Sequence, residues 1–140
     1  MNKKTVSLAF LALLCIGNIF AANDITCTLN ITGVAVNEGK IYVSLYSNEK
    51  DYKKDVPCAT FSLESASKNI THSFSIPKGE YVIALFQDTN KNRMLDTNRF
   101  GLPTEPVALS NYNGGIPGGF NKHKVLINGN SNKITINFGK

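Results

Sequence analysis

The sequence predicts an all-β protein: a single antiparallel β-sandwich, immunoglobulin-like or transthyretin-like, of about seven strands. Three observations predict it. Apolar and polar residues alternate with period two through most of the chain after residue 22, clusters of Gly, Pro and Asn interrupt that alternation at short intervals, and no long stretch shows a helical apolar face.

The first predicted strand buries Ile25, Cys27, Leu29 and Ile31 and wets Thr26, Thr28, Asn30 and Thr32, with Gly33 closing it. After the turn at Asn37-Glu38-Gly39 the pattern returns in Ile41, Val43 and Leu45, and after Pro57 in Ala59, Phe61 and Leu63. The segment between them, with Lys50, Lys53 and Lys54 broken up by Asp51 and Asp55, reads as a solvated loop. Residues 70–76 form a fourth strand, ended by Pro77-Lys78-Gly79. Residues 81–86, Tyr-Val-Ile-Ala-Leu-Phe, are apolar on both faces, which suits a central strand. Residues 125–127 and 134–138 supply the last two strands, separated by the turn at 128–132.

Residues 88–121 break the rhythm. A connection this long inside one domain is usually functional or disordered. Its spaced apolar residues, Leu95, Phe100, Leu102, Val107, Leu109, Tyr112, Ile116 and Phe120, predict an ordered loop packed on the sandwich. It opens with Asp88-x-Asn90-x-Asn92-x-Met94-x-Asp96, directly after the central strand. Hard cations such as Ca²⁺ take oxygen ligands from alternate positions of a curled loop. Asp88, Asn90 and Asn92 occupy positions 1, 3 and 5, the Met94 carbonyl position 7 and Asp96 position 9, with Glu105 as a further carboxylate that could fold back. Arg93 stands where an EF-hand loop has Gly, which removes the easy sharp turn, and Arg99 where it has Glu. The alternative is a polar hairpin loop, since Asn and Asp also dominate ordinary turns.

Lys3 and Lys4, the apolar run Val6 to Ile16 and the small residues Ala21-Ala22 have the order of a signal peptide spanning residues 1–22, cut after Ala21 or Ala22. The apolar run is shorter than the roughly 20 residues of a spanning helix. Leu14 before Cys15 argues against a lipoprotein signal. The expected location is therefore periplasmic or extracellular, for one domain over residues 23–140. The full chain carries a net charge of +5, from 15 basic against 10 acidic residues, and losing Lys3 and Lys4 brings it to +3. Such a balance lacks the dense basic stripe of a nucleic-acid binder. Export leaves Cys27 and Cys58 as a pair, expected to bridge, against the alternative of two separate thiols packed as small hydrophobes.

A longer pattern joins these features: Pro77-Lys78-Gly79-Glu80-Tyr81, then Asp88-x-Asn90-x-Asn92-x-x-Leu95-Asp96-x-Asn98-x-Phe100-Gly101-x-Pro103-x-Glu105-Pro106, then Ser110-Asn111 and Pro117-x-x-Phe120. It resembles the bacterial domain-of-unknown-function family 2141 over essentially the whole chain after residue 22. The resemblance implies an exported β-sandwich and no particular activity. The chain departs from the family where Arg93 replaces a common Gly, and where Ala108-Leu109 replaces Gly-Phe before Ser-Asn.

Three function classes follow. The residues fit best a non-catalytic binding or structural module, in which Phe100, Tyr112 and Phe120 among Asn and Gly would meet an envelope glycan, peptide or protein. The same aromatics could instead pin the loop to the core. Second is a subunit of a cell-envelope assembly, adhesin-like or pilus-like, which requires a missing strand, whereas this chain, expected to be a monomer, supplies a full set. Weakest is a hydrolase using Asp88, Asp96 and Glu105. His72 and His123 read as two surface histidines.

Overall fold

The computed structural model describes residues 23–129 and 131–139, so the expected signal peptide lies outside the described residues. Ten elements follow in order: β1 (Asp24–Thr32), β2 (Ile41–Tyr46), α1 (Glu49–Lys54), β3 (Ala59–Leu63), β4 (Asn69–Pro77), β5 (Gly79–Gln87), β6 (Val107–Leu109), α2 (Phe120–His123), β7 (Val125–Ile127) and β8 (Ser131–Asn137). One sheet has the order β4-β1-β8 and the other β3-β2-β5-β6, with β7 also paired to β5. All pairings are antiparallel except β1 with β8, which run parallel from Thr26 opposite Ser131 to Thr32 opposite Asn137.

Alternation determines which face of each strand meets the core. Cys27, Leu29 and Ile31 of β1, Ile76 of β4 and Ile136 of β8 pack against Ile41, Val43 and Leu45 of β2 and Ile83 and Leu85 of β5. One core thus lies between the two sheets, and burying each of these aliphatic side chains contributes roughly 1.5–3 kcal/mol. Strand β5 is apolar on both faces because both faces are covered. Tyr81, Ile83 and Leu85 point into the inter-sheet core, while Val82 joins a second cluster with Tyr46 and Phe120, flanked by Tyr52, Ala84 and Leu109.

That second cluster explains the two helices. Residues 49–54 are a helix, where the sequence reading expected a solvated loop. Asn48 caps it by accepting the backbone N–H of Asp51 at 2.9 Å, and Asp55 ends it in the left-handed region at φ 53°. The segment carries Tyr52 to the outer face of the second sheet, so one apolar contact decides what a charge-rich composition hides. Glu49 then accepts the backbone N–H of Phe120 at 2.7 Å, tying α1 to α2. Strand β6, inside the long connection, brings the strands to eight among the described residues and has no counterpart in the sequence reading.

At the other end of β5, Gln87 is fully buried. Its amide accepts from the Ala35 N–H at 3.0 Å and donates to the carbonyls of Ala35 and Glu38. This clamp presses the turn before β2 onto the start of the long connection. Gly39 there has φ +90°, and a Cβ on it would stand 1.8 Å from the Asp88 carbonyl oxygen.

Candidate functional site

The 88–105 loop is built around two buried carboxylates. Asp88 is anchored by its own N–H, which donates to the Lys40 carbonyl at 2.9 Å. Its side chain, 2% exposed, accepts the N–H of Asn92 at 3.1 Å and of Arg93 at 2.8 Å. Asn90 Oδ1 accepts the Asn92 N–H at 3.2 Å, and Asn92 Oδ1 accepts the Met94 N–H at 2.9 Å. The carboxylate of Asp96 receives the side-chain amides of Asn90 and Asn92 at 2.6 and 2.7 Å on one oxygen, Oδ2. The sharp turn that Gly would ease is made all the same. Arg93 adopts φ 67° and Lys91 φ 62°, a left-handed conformation that costs an ordinary residue roughly 1–2 kcal/mol.

Glu105 closes the loop from its far side. It is 7% exposed, and its two oxygens accept the backbone N–H groups of Thr89 at 2.9 Å and Asp96 at 3.2 Å. Beyond Asp96 the chain folds into a small hairpin, with a bridge between Thr97 and Pro103 and the Asn98 N–H donating to the Leu102 carbonyl at 2.9 Å. At its tip Phe100 is 72% exposed with the Arg99 guanidinium 4.8 Å from its ring centroid, and Leu102 is 60% exposed.

The structure therefore brings Asp88, Asn90, Asn92, Asp96 and Glu105 into one hydrogen-bonded unit. Met94 lies beside it with its side chain exposed. Carboxylate and amide oxygens are the ligands a hard cation takes, although Asp96 Oδ2 already accepts two side-chain amides. Among the described residues, no group of three His, Cys, Asp or Glu side chains is gathered as metal ligands. Glu105 spends both oxygens on backbone N–H groups, so it acts as a brace between the two ends of the loop.

Other expected site residues are redistributed. Phe120 does not face a ligand: it is buried in α2 against Tyr46 and Val82, because the outer face of β5 needs a cover. Tyr112 is half-buried, with its hydroxyl donating to the Gly115 carbonyl at 2.6 Å and its ring 6.0 Å from that of His123. Of the three aromatic candidates only Phe100 stands free. Cys27 and Cys58 are separate free thiols and not a bridge. Cys27 is sealed in the core on β1, and Cys58 is exposed just before β3, its Sγ donating to the Leu45 carbonyl at 3.3 Å.

His123 is not a surface residue either. It is fully buried, its Nε2 accepts the Gly118 N–H at 3.0 Å, and Nδ1 lies 3.2 Å from the Ser110 carbonyl, which identifies the neutral ring with its proton on Nδ1. Ser110, also fully buried, donates to the His123 carbonyl at 2.7 Å and accepts the Ile83 N–H at 2.9 Å. These bonds fix α2 to β5 and consume the polar atoms they join. His72 is half-buried with its ring 4.9 Å from that of Phe61. The sequence signal that could have located His123 is its place three residues after Phe120, on one helical face.

A family model described as an uncharacterized protein conserved in bacteria, DUF2141, matches residues 29–135. No curated protein and no solved structure matches the chain.

Proposed function

From the premise that the chain belongs to the DUF2141 family of bacterial proteins, we propose that it is an exported, non-catalytic binding module that presents a braced hairpin to an envelope glycan, peptide or protein. One observation carries this reading. Phe100 and Leu102 are 72% and 60% exposed, on a hairpin whose base is held by the two buried carboxylates Asp88 and Glu105. Large apolar side chains left in water on an ordered support are the usual form of a contact surface, because the ordering entropy is already spent before the partner arrives. The finer fold assignment proposed with it is an immunoglobulin-like or transthyretin-like sandwich, supported by two sheets packed on one shared core, while the parallel β1–β8 pair departs from the all-antiparallel arrangement expected from the sequence.

Calcium belongs to the same proposal as a structural ion. Asp88, Asn90, Asn92 and Asp96 would hold it, with dissociation constants on the order of 10⁻⁴–10⁻³ M as in extracellular modules. Support comes from the Asp88 carboxylate, which takes the N–H groups of loop positions 5 and 6, and from the left-handed turn at Arg93. Bound calcium adds positive charge beside Asp96 and stiffens the root of the hairpin. Thermal unfolding with millimolar calcium or chelator tests this part: a higher Tm with calcium, lost in Asp88→Ala, is expected, and an unchanged wild-type Tm would remove calcium from the reading.

The binding role is tested separately, by retention of the protein on washed cell-envelope material and on its purified polysaccharide. Wild-type protein is expected to be retained and Phe100→Ser released. Equal retention of both would overturn the assignment of the hairpin. No helix of the described residues is long and apolar enough to cross a membrane.

A further inference from the structure

The same loop also lines a second feature, a groove of about 670 Å³ shared with residues of β2, β3 and the Asn37–Lys40 turn. Its volume falls within the ordinary range of small-molecule sites. Lys40, Lys91 and Arg93 line it, with Glu64 and Asp88 as the acidic residues. Both acids are engaged. Glu64 lies 2.9 Å from the Lys40 ammonium, and Asp88 accepts the backbone N–H groups of Asn92 and Arg93.

Lys91 and Arg93 are left over. Both are exposed, and among the described residues neither lies within ion-pair distance of a carboxylate. Beside them Tyr42 forms an aromatic wall, half-buried and stacked on Phe86 with ring centroids 5.1 Å apart. Asn37 and Ser62 add exposed hydrogen-bonding groups to the lining. Lys91 and Arg93 against Asp88, whose carboxylate keeps its charge while it accepts backbone N–H groups, leave the lining with one positive charge in excess, which favours an anion, and a guanidinium suits a carboxylate through its planar fork. An aromatic wall with neighbouring amide and hydroxyl groups calls for a ligand larger than a bare anion, with a flat C–H face and several hydroxyls. An acidic sugar has all of these.

We propose that this groove binds a uronate-type saccharide, its carboxylate on Arg93 and Lys91, its ring against Tyr42 and its hydroxyls toward Asn37 and Ser62. The site is distinct from the Phe100 hairpin and does not depend on it. It makes the loop shared between the two proposed ligands, since Asp88 of the cation set also lines the groove.

The test is a titration with trigalacturonate, its neutral methyl ester and inorganic phosphate, followed by calorimetry and by backbone amide shifts, in chelator and repeated with calcium. Saturable binding of the acid, weakened by salt and absent for the ester, is expected, with shifts at Ser62 and Asn37. The double variant Lys91→Gln, Arg93→Gln should lose about tenfold or more in affinity, equivalent to about 1.4 kcal/mol. It keeps the Asp88 contact, which uses the Arg93 backbone, and an unchanged Tm would verify its fold. Lys53→Gln with Lys54→Gln, remote in sequence on α1, should bind as wild type, as should Phe100→Ser. Equal binding of acid and ester, equal loss in the α1 variant, loss in Phe100→Ser, phosphate binding as tight as the saccharide, or no saturable binding would each overturn the proposal.

Discussion

Replacing Glu105 should be the most costly single change in the long connection. Its carboxylate is 7% exposed and accepts two backbone N–H groups, from Thr89 at 2.9 Å and Asp96 at 3.2 Å, that have no other acceptor of the loop in reach of their bonds. Glu105→Ala removes both acceptors. Each orphaned donor costs about 1–3 kcal/mol when it is shielded from water, so the expected loss for the two is about 2–6 kcal/mol. Glu105→Gln retains one oxygen for one N–H and turns an amide NH₂ toward the other, so about half that loss is expected. Urea unfolding followed by circular dichroism measures it. With a slope of about 1–3 kcal/mol per molar, a 3 kcal/mol loss moves the midpoint by about 1–3 M. A Glu105→Ala midpoint within experimental scatter of wild type would refute the reasoning, since it would mean that water replaces the brace at no cost.

Three further outcomes are expected. Gly39→Ala should destabilise by more than about 3 kcal/mol and lower the Tm sharply, because its Cβ would stand 1.8 Å from the Asp88 carbonyl and its φ is +90°. Stability should begin to fall above about pH 9, where the buried Cys27 thiol, its pKa raised by desolvation, stays protonated only in the folded chain, and fall further above about pH 10. Burial, and for Tyr46 its hydrogen bond to Asp55, raises the pKa of Tyr46, Tyr52 and Tyr81, so the folded chain keeps protons that the unfolded chain releases. Thermal melts across that range should show the decline, and a smaller one in Tyr46→Phe. Finally, iodoacetamide should modify exposed Cys58 in the folded protein and buried Cys27 only after unfolding, as read by mass spectrometry; a mass two hydrogens lower and resistance to both would show a bridge instead.

Strands were legible wherever one face is buried. The period-two signal placed β1, β2, β3, β4, β5 and β7 to within about two residues, and the two-sided apolarity of 81–86 correctly marked the strand covered on both faces. The misses share a cause. In α1 a cap at Asn48 and a single ring, Tyr52, outweigh five charges, and that contact exists only because β5 and β2 supply Val82 and Tyr46 beneath it. Phe120 and His123 were misread for the same reason, since the surface they cover is assembled from distant segments. Within the site, Asp88, Asn90, Asn92 and Asp96 were legible because their bonding is local. The Gln87 clamp and the brace role of Glu105 were not, because their partners lie tens of positions away or on the backbone, where sequence carries no mark.

The parallel pairing of β1 with β8 has a mechanical consequence. The chain enters β1 at the end where β8 begins and leaves β8 at the end where β1 stops, across seven matched positions from Thr26 opposite Ser131 to Thr32 opposite Asn137. A load applied between the two ends of the domain therefore runs along the strand axes. It strains the whole β1–β8 ladder at once and cannot peel it one bond at a time. The domain is consequently stiffest along the line joining its ends, and a tether at one end with a pull at the other would load its first and last strands in shear.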